Sequence, residues 1–212
     1  MSELTAVDIL LEPDASMLAR AEAENGRMLT SIPSPPGFHL DEHHRPHITT
    51  LQRYVRTDAL EDMYAAIERV VGQLDLSKLT FTAEAIKHME VQPSVGIAAV
   101  VVKPGPEVLD FQARLIEALK PFTGSGGTAD AYVRTEAEPD INDATITYIE
   151  NYVPDHSGAN YVAHVTVGIA KLDDLTGIEA ETFEPLTFSA SAVSIYQLGN
   201  NGTAAKQLKT FR

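Results

Sequence analysis

From Leu60 the apolar residues recur at Met63, Tyr64, Ile67, Val70, Val71 and Leu74. This spacing of three and four predicts a helix with one buried face. Thr57-Asp58, with Glu61 three residues beyond Asp58, supplies a capping signal for it. A second amphipathic helix opens at Pro104-Gly105-Pro106, sets Val108, Phe111, Leu115 and Leu119 on its inner side, and stops before Pro121. Residues 15–29, rich in Ala, Glu, Met and Leu, predict a third helix, and residues 172–180 a short fourth. β-type runs occupy 7–11, 47–55, 79–91, 95–102, 144–152, 161–170 and 186–198, and the turn Gln92-Pro93-Ser94 makes a hairpin of the third and fourth. Two long stretches have no period. Residues 31–46 are broken by prolines, and residues 123–143 carry Gly124-Ser125-Gly126-Gly127 and read as a flexible flap.

Hairpin-like turns outnumber regular βαβ alternation, which predicts an α+β fold with mainly antiparallel pairing. The strands at 47–55 and 161–170 are each followed by a polar break and a helical stretch. This order predicts two pseudo-symmetric lobes of β-sheet around a central cleft, helices on the outer faces, in a single domain spanning residues 1–212.

With 44% apolar residues among 212, the chain can bury a sizeable core. It has no cysteine, which excludes disulfides, thiolate metal sites and cysteine nucleophiles. No apolar run has the length of a membrane span, and Met1-Ser2-Glu3-Leu4 lacks the features of a signal peptide. A cytoplasmic protein without membrane partners is expected. The net charge of −14 repels extended nucleic acid and favours a small ligand or the end of an oligonucleotide.

The candidate chemistry lies in two strings, His47-Ile48-Thr49 and His164-Val165-Thr166, each at the head of a predicted strand. In extended chain the His and Thr of each string share one face. Two such strands brought together would set two imidazoles and two hydroxyls around one small anion. One neutral imidazole can activate water while the other, protonated, donates to a leaving alkoxide. Thr49 and Thr166 would donate to the nonbridging oxygens of a phosphate.

These paired strings resemble the signature of the two-histidine phosphoesterases, the 2′-5′ RNA ligase-like or cyclic phosphodiesterase superfamily. The run from Tyr196 through Gly199 to Ala204 resembles the closing strand and turn of some bacterial members. The resemblance implies a cleft between two lobes, catalysis without a metal or other cofactor, and hydrolysis of 2′,3′-cyclic nucleotides, RNA ends or related small cyclic phosphates. It leaves room for 2′-5′ RNA ligation. Thr50 departs from the pattern, since the family prefers an apolar residue there, as Val167 provides in the second string.

Alternation nominates Leu51, Arg53, Gly168 and Ala170 as further cleft-facing residues. Arg53 could bring positive charge to a phosphate, or be a solvated side chain near a strand end. Arg45 and Arg56 are secondary candidates. Tyr161, Tyr196 and Tyr54 could stack a base or pack with the hydroxyl at an edge. Two other readings remain at this stage. One is a binding module that uses the same cleft without turnover. The other is a metal-dependent hydrolase built on His44 and His47, with His164 or His156 and an acid from the Asp41-Glu42-His43-His44 run.

Overall fold

A computed structural model describes residues 3–34, 36–41, 44–136 and 139–212. Seven strands and five α-helices are found among them, in the order β1 (Leu4–Pro13), α1 (Ala15–Met28), β2 (Ile48–Arg56), α2 (Leu60–Val71), β3 (Thr80–Gln92), β4 (Val95–Pro104), α3 (Pro106–Leu119), α4 (Asp143–His156), β5 (His164–Lys171), α5 (Leu172–Glu179), β6 (Leu186–Leu198) and β7 (Ala204–Phe211). All strand pairs are antiparallel, in the order β2-β1-β6-β3-β4-β5 with β7 added to β6. The fold is α+β, as expected.

β6 joins the two lobes. Its first residues, Leu186 to Ser189, pair with β3, and its later residues pair with β1 and β7. One lobe therefore ends on β2 and the other on β5, and these two end strands carry the two motifs. A core of Val7, Ile9, Leu11, Leu51, Ile67, Phe81, Phe111, Leu115, Val165 and Val193, among others, lies under the helices. A smaller core of Ala6, Tyr54, Tyr132, Ile149 and Leu198 lies under α4.

Four expectations change. Residues 144–152 are helical, within α4: the Asn142 side chain accepts from the Thr145 amide as N-cap, and the buried Thr145, Ile149 and Tyr152 keep a helical spacing. The β-branched composition of Thr145-Ile146-Thr147 favours a strand, but the cap and the buried face override it. The described residues of the 123–143 stretch are packed rather than a free flap. Thr123 bridges Val55, Val133 N–H donates to Leu198 O, Gln197 Nε2 donates to Ala131 O, and Gly127 lies so close to the Tyr54 ring that a Cβ would strike it. β7 is an additional strand, whose polar Lys206, Gln207 and Lys209 lack the apolar run of a buried strand. At the start of α2, Thr57 to Ala59 form a 3-10 turn, and neither Thr57 nor Asp58 supplies a side-chain cap; Thr57 Oγ1 bonds Thr5 Oγ1 instead. None of the described helices is long and apolar enough to cross a membrane.

Candidate functional site

Both motif histidines are held the same way. Nδ1 of His47 lies 2.7 Å from the carbonyl oxygen of Arg45, and Nδ1 of His164 lies 3.0 Å from that of Val162, two residues upstream in each case. A carbonyl only accepts, so each Nδ1 carries the proton, and in the neutral ring Nε2 keeps its lone pair. Arg45 is itself paired: its guanidinium lies 3.6 Å from Glu12.

The strands share a second device. Ile9 pairs with Leu51 and Leu10 with Thr49, leaving Thr50 as the extra residue of a β-bulge. Ala98 pairs with Gly168 and Ala99 with Thr166, leaving Val167 as the extra residue of another. In each motif the bulge falls immediately after the threonine. Each bulge carbonyl accepts from a buried helix amide: Gln112 Nε2 of α3 donates to Thr50 O at 2.9 Å, and Asn25 Nδ2 of α1 donates to Val167 O at 2.8 Å. The Thr50 hydroxyl donates to Ile9 O, so a polar residue is accommodated at a position that is fully buried.

A bulge reverses the alternation beyond it. Leu51 and Ala170 accordingly lie in the main core, and Gly168 faces Asn25 and Met28 of α1. Gln52 takes the face that simple alternation assigns to Leu51 and Arg53. Arg53 lines a separate polar cavity of about 310 Å³ with Thr123, Gly124, Ser125 and Glu150, and this lining contains none of the motif residues. Burial pushes its guanidinium pKa down, and the charge of Glu150 pushes it up.

Behind the first motif sits Asp8 of β1, which has no exposed surface. Its Oδ2 accepts from Thr49 Oγ1 at 2.8 Å and from Gln52 Nε2 at 3.0 Å, and His47 Nε2 lies 3.8 Å away. Burial raises the Asp8 pKa; His47, the two hydrogen bonds and His164 oppose the rise. The imidazoles of His47 and His164 both act on the Asp8 charge. The Tyr161 hydroxyl, whose proton burial holds firmly, donates to Thr49 O at 2.8 Å and ties the segment before β5 to β2.

The site is asymmetric. The Thr49 hydroxyl is turned inward to Asp8, whereas the Thr166 hydroxyl makes no hydrogen bond among the described residues. Three residues after each threonine, Gln52 pairs with Asp8 but Ile169 pairs with Ile97. Asp8 and Gln52 were not singled out by sequence reasoning, although a lone acid inside the run Ala6-Val7-Asp8-Ile9-Leu10-Leu11 was a visible signal.

Tyr196 is buried on β6 beside Leu10 and Ala204, and Tyr54 bonds Tyr132 in the smaller core. Arg56 reaches Pro121 O. His44 stacks on Phe38 and lies 3.2 Å from Asp41, while His156 stacks on Tyr148. Glu42 and His43 lie outside the described residues. Among the described residues, no three His, Asp or Glu side chains gather in a group that could hold a metal ion.

No family model matches the chain, and no curated protein matches it. Among solved structures it is similar to TT0787 of Thermus thermophilus, with a TM-score of 0.52 and 13% identity over 98% of this chain and 97% of that one. E. coli LigT complexed with NADP+ gives 0.49 and 13% identity, over 99% of this chain and 98% of that one. A structure described as a phosphoesterase gives 0.46 and 15% identity, again over 99% and 98%. At such identities the likeness concerns the fold. With TT0787 the α+β fold is shared over nearly the whole of both chains.

Proposed function

We propose that the chain is a metal-independent cyclic phosphodiesterase in which His47 and His164 form the acid/base pair. The observation that carries this reading is the twin brace of their Nδ1 atoms on the carbonyls of Arg45 and Val162. Such a brace matters for a ring whose Nε2 must take or give a proton in one fixed direction, and a phosphate-binding site alone does not need it twice.

In the reaction, Nε2 of one neutral imidazole takes a proton from water as the water oxygen attacks phosphorus. The endocyclic P–O bond breaks, and the second imidazole, protonated at Nε2, gives that proton to the departing alkoxide. The product is a phosphate monoester. Which ring acts first is set by which ester oxygen faces it. Thr166 donates to a nonbridging oxygen from an unencumbered hydroxyl, and Thr49 completes the anchor on the opposite side. The substrate class is 2′,3′-cyclic nucleotides, RNA ends bearing such a phosphate, or related small cyclic phosphates. With a 5′-hydroxyl in place of water as the attacking group and the 3′-oxygen as the leaving alkoxide, the same two proton transfers would form a 2′-5′ RNA linkage.

The test offers 2′,3′-cyclic AMP to the purified protein with EDTA present, beside His47→Ala and His164→Ala. Turnover that survives chelation and is lost in both variants is expected. Activity untouched by either substitution overturns the proposal, loss on chelation returns the metal-dependent reading, and saturable binding without turnover returns the binding-module reading.

A further inference from the structure

We propose that Asp8 controls the direction of the Thr49 hydroxyl, so that an oxyanion entering the cleft is bound together with one proton taken up at Asp8. As a carboxylate, Asp8 holds the Thr49 proton on its Oδ2 at 2.8 Å, and Thr49 then shows the cleft only lone pairs, which repel an anion. As a carboxylic acid, Asp8 donates from Oδ2 along the same line to Thr49 Oγ1, and the threonine proton swings out to the anion. Asp8 touches no substrate and acts through Thr49, so it is a positioning residue. This inference rests on the phosphate-binding role proposed for Thr49.

Hydrogen-bond accounting supports it. Asp8 Oδ1 and Gln52 Oε1 are both buried acceptors with no partner among the described residues, so the cluster of Asp8, Thr49 and Gln52 is short of hydrogens. A lone carboxylate oxygen without a donor is costly in a buried strand, whereas a neutral carbonyl in its place is much less so. The ionisable groups that face Asp8 are the imidazoles of His47 and His164 and the phenols of Tyr148, Tyr152 and Tyr161. Only the two imidazoles can offset its charge, and in the proposed cycle one of them must be neutral. The second lobe has Ile97 and Ile169 at the matching pair, so this device belongs to the first motif alone.

The probe is inorganic sulfate, whose charge is constant between about pH 5 and pH 9, so a proton taken up on binding is taken up by the protein. Calorimetric titration in two buffers of different ionisation enthalpy counts the protons taken up. Asp8→Asn, whose amide donates permanently to Thr49, is expected to bind sulfate at least about tenfold more tightly than wild type at pH 8. It should also take up fewer protons, by as much as one per sulfate. In a Thr49→Val background the gain from Asp8→Asn should vanish. Thr49→Val alone carries the same test in a protein that keeps Asp8: its proton uptake should fall below that of wild type.

Equal or weaker sulfate binding by Asp8→Asn overturns the inference, as does a gain that persists without the Thr49 hydroxyl. Turnover of 2′,3′-cyclic AMP reports separately on the proposed function. Sulfate linkage without turnover sinks only the catalytic reading, and turnover with unchanged sulfate linkage sinks only the role of Asp8.

Discussion

Gln112 Nε2 donates to the carbonyl of Thr50 at 2.9 Å, and its Oε1 accepts from the Gly158 amide at 2.8 Å, so one buried side chain joins the first motif's bulge to the turn that leads into the second. Asn25 does the corresponding work for Val167, and it also donates to Phe38 O, fixing the loop after α1 against β5. The bulges reverse the alternation after both threonines, and the amides keep the bulges from leaving bare carbonyls in the core.

Gln112→Ala and Asn25→Ala should each destabilise the protein by about 1–3 kcal/mol, the cost of leaving buried polar groups unpaired. The two residues share no partner, and their effects should add in a urea-unfolding double-mutant cycle. Losses below about 0.5 kcal/mol for both would show that the bulges hold without them.

Much of this arrangement was legible in the chain. The spacing of Met63, Ile67 and Val70 and the proline before Val108 foretold α2 and α3, because a buried face imposes its own period. The repeat of His-apolar-Thr pointed to the two strands, β2 and β5, on which the lobes end. What was hidden is the register beyond each threonine: a bulge is a property of two strands, and nothing in Thr50 or Val167 alone announces it. For that reason Arg53 looked cleft-facing and Gln52 did not. The run around Thr145 misled for the opposite reason, since its residues favour a strand while its cap at Asn142 and its buried partners select a helix.

His47→Ala and His164→Ala should each lower kcat on 2′,3′-cyclic AMP by about 10²- to 10⁴-fold, the usual scale for a positioned acid or base. Because the proposed cycle uses the two rings in one proton relay, the double variant should lose much less than the product of the single losses. Stopped turnover assays of the three proteins check this, and multiplicative losses would mean the rings work independently.

Arg53→Met should leave the KM for the same substrate within about twofold, because its cavity contains Glu150 and Ser125 but none of the motif residues. Its buried Nε has no partner among the described residues, so an apolar side chain of similar length should leave stability unchanged or raise it by up to about 1 kcal/mol. A KM rise of tenfold or more would return Arg53 to the phosphate.

Two aspartates make stability depend on pH with opposite signs. Burial raises the Asp8 pKa above 3.8 despite the opposing imidazoles and hydrogen bonds. The folded state therefore holds that proton more firmly, and the contribution is fully present below pH 3.8 and lost as pH rises through the folded-state value. At Asp14, burial raises the pKa, but hydrogen bonds from Ser16, Ser189 and Met17 outweigh it and lower the value below 3.8. Its contribution is present above that pH and lost as pH falls through the folded-state value. Asp8→Asn should therefore melt higher than wild type at pH 7, by about 1–3 kcal/mol of stability, with the gap closing toward pH 4. Asp14→Ala removes the N-cap of α1 and should cost about 0.5–2 kcal/mol at pH 7, with part of that loss disappearing in acid. Thermal melts of the three proteins between pH 3 and pH 8 separate the two effects. An Asp8→Asn protein that is less stable than wild type across that range would mean the buried carboxylate is held by more than Thr49, Gln52 and the two imidazoles.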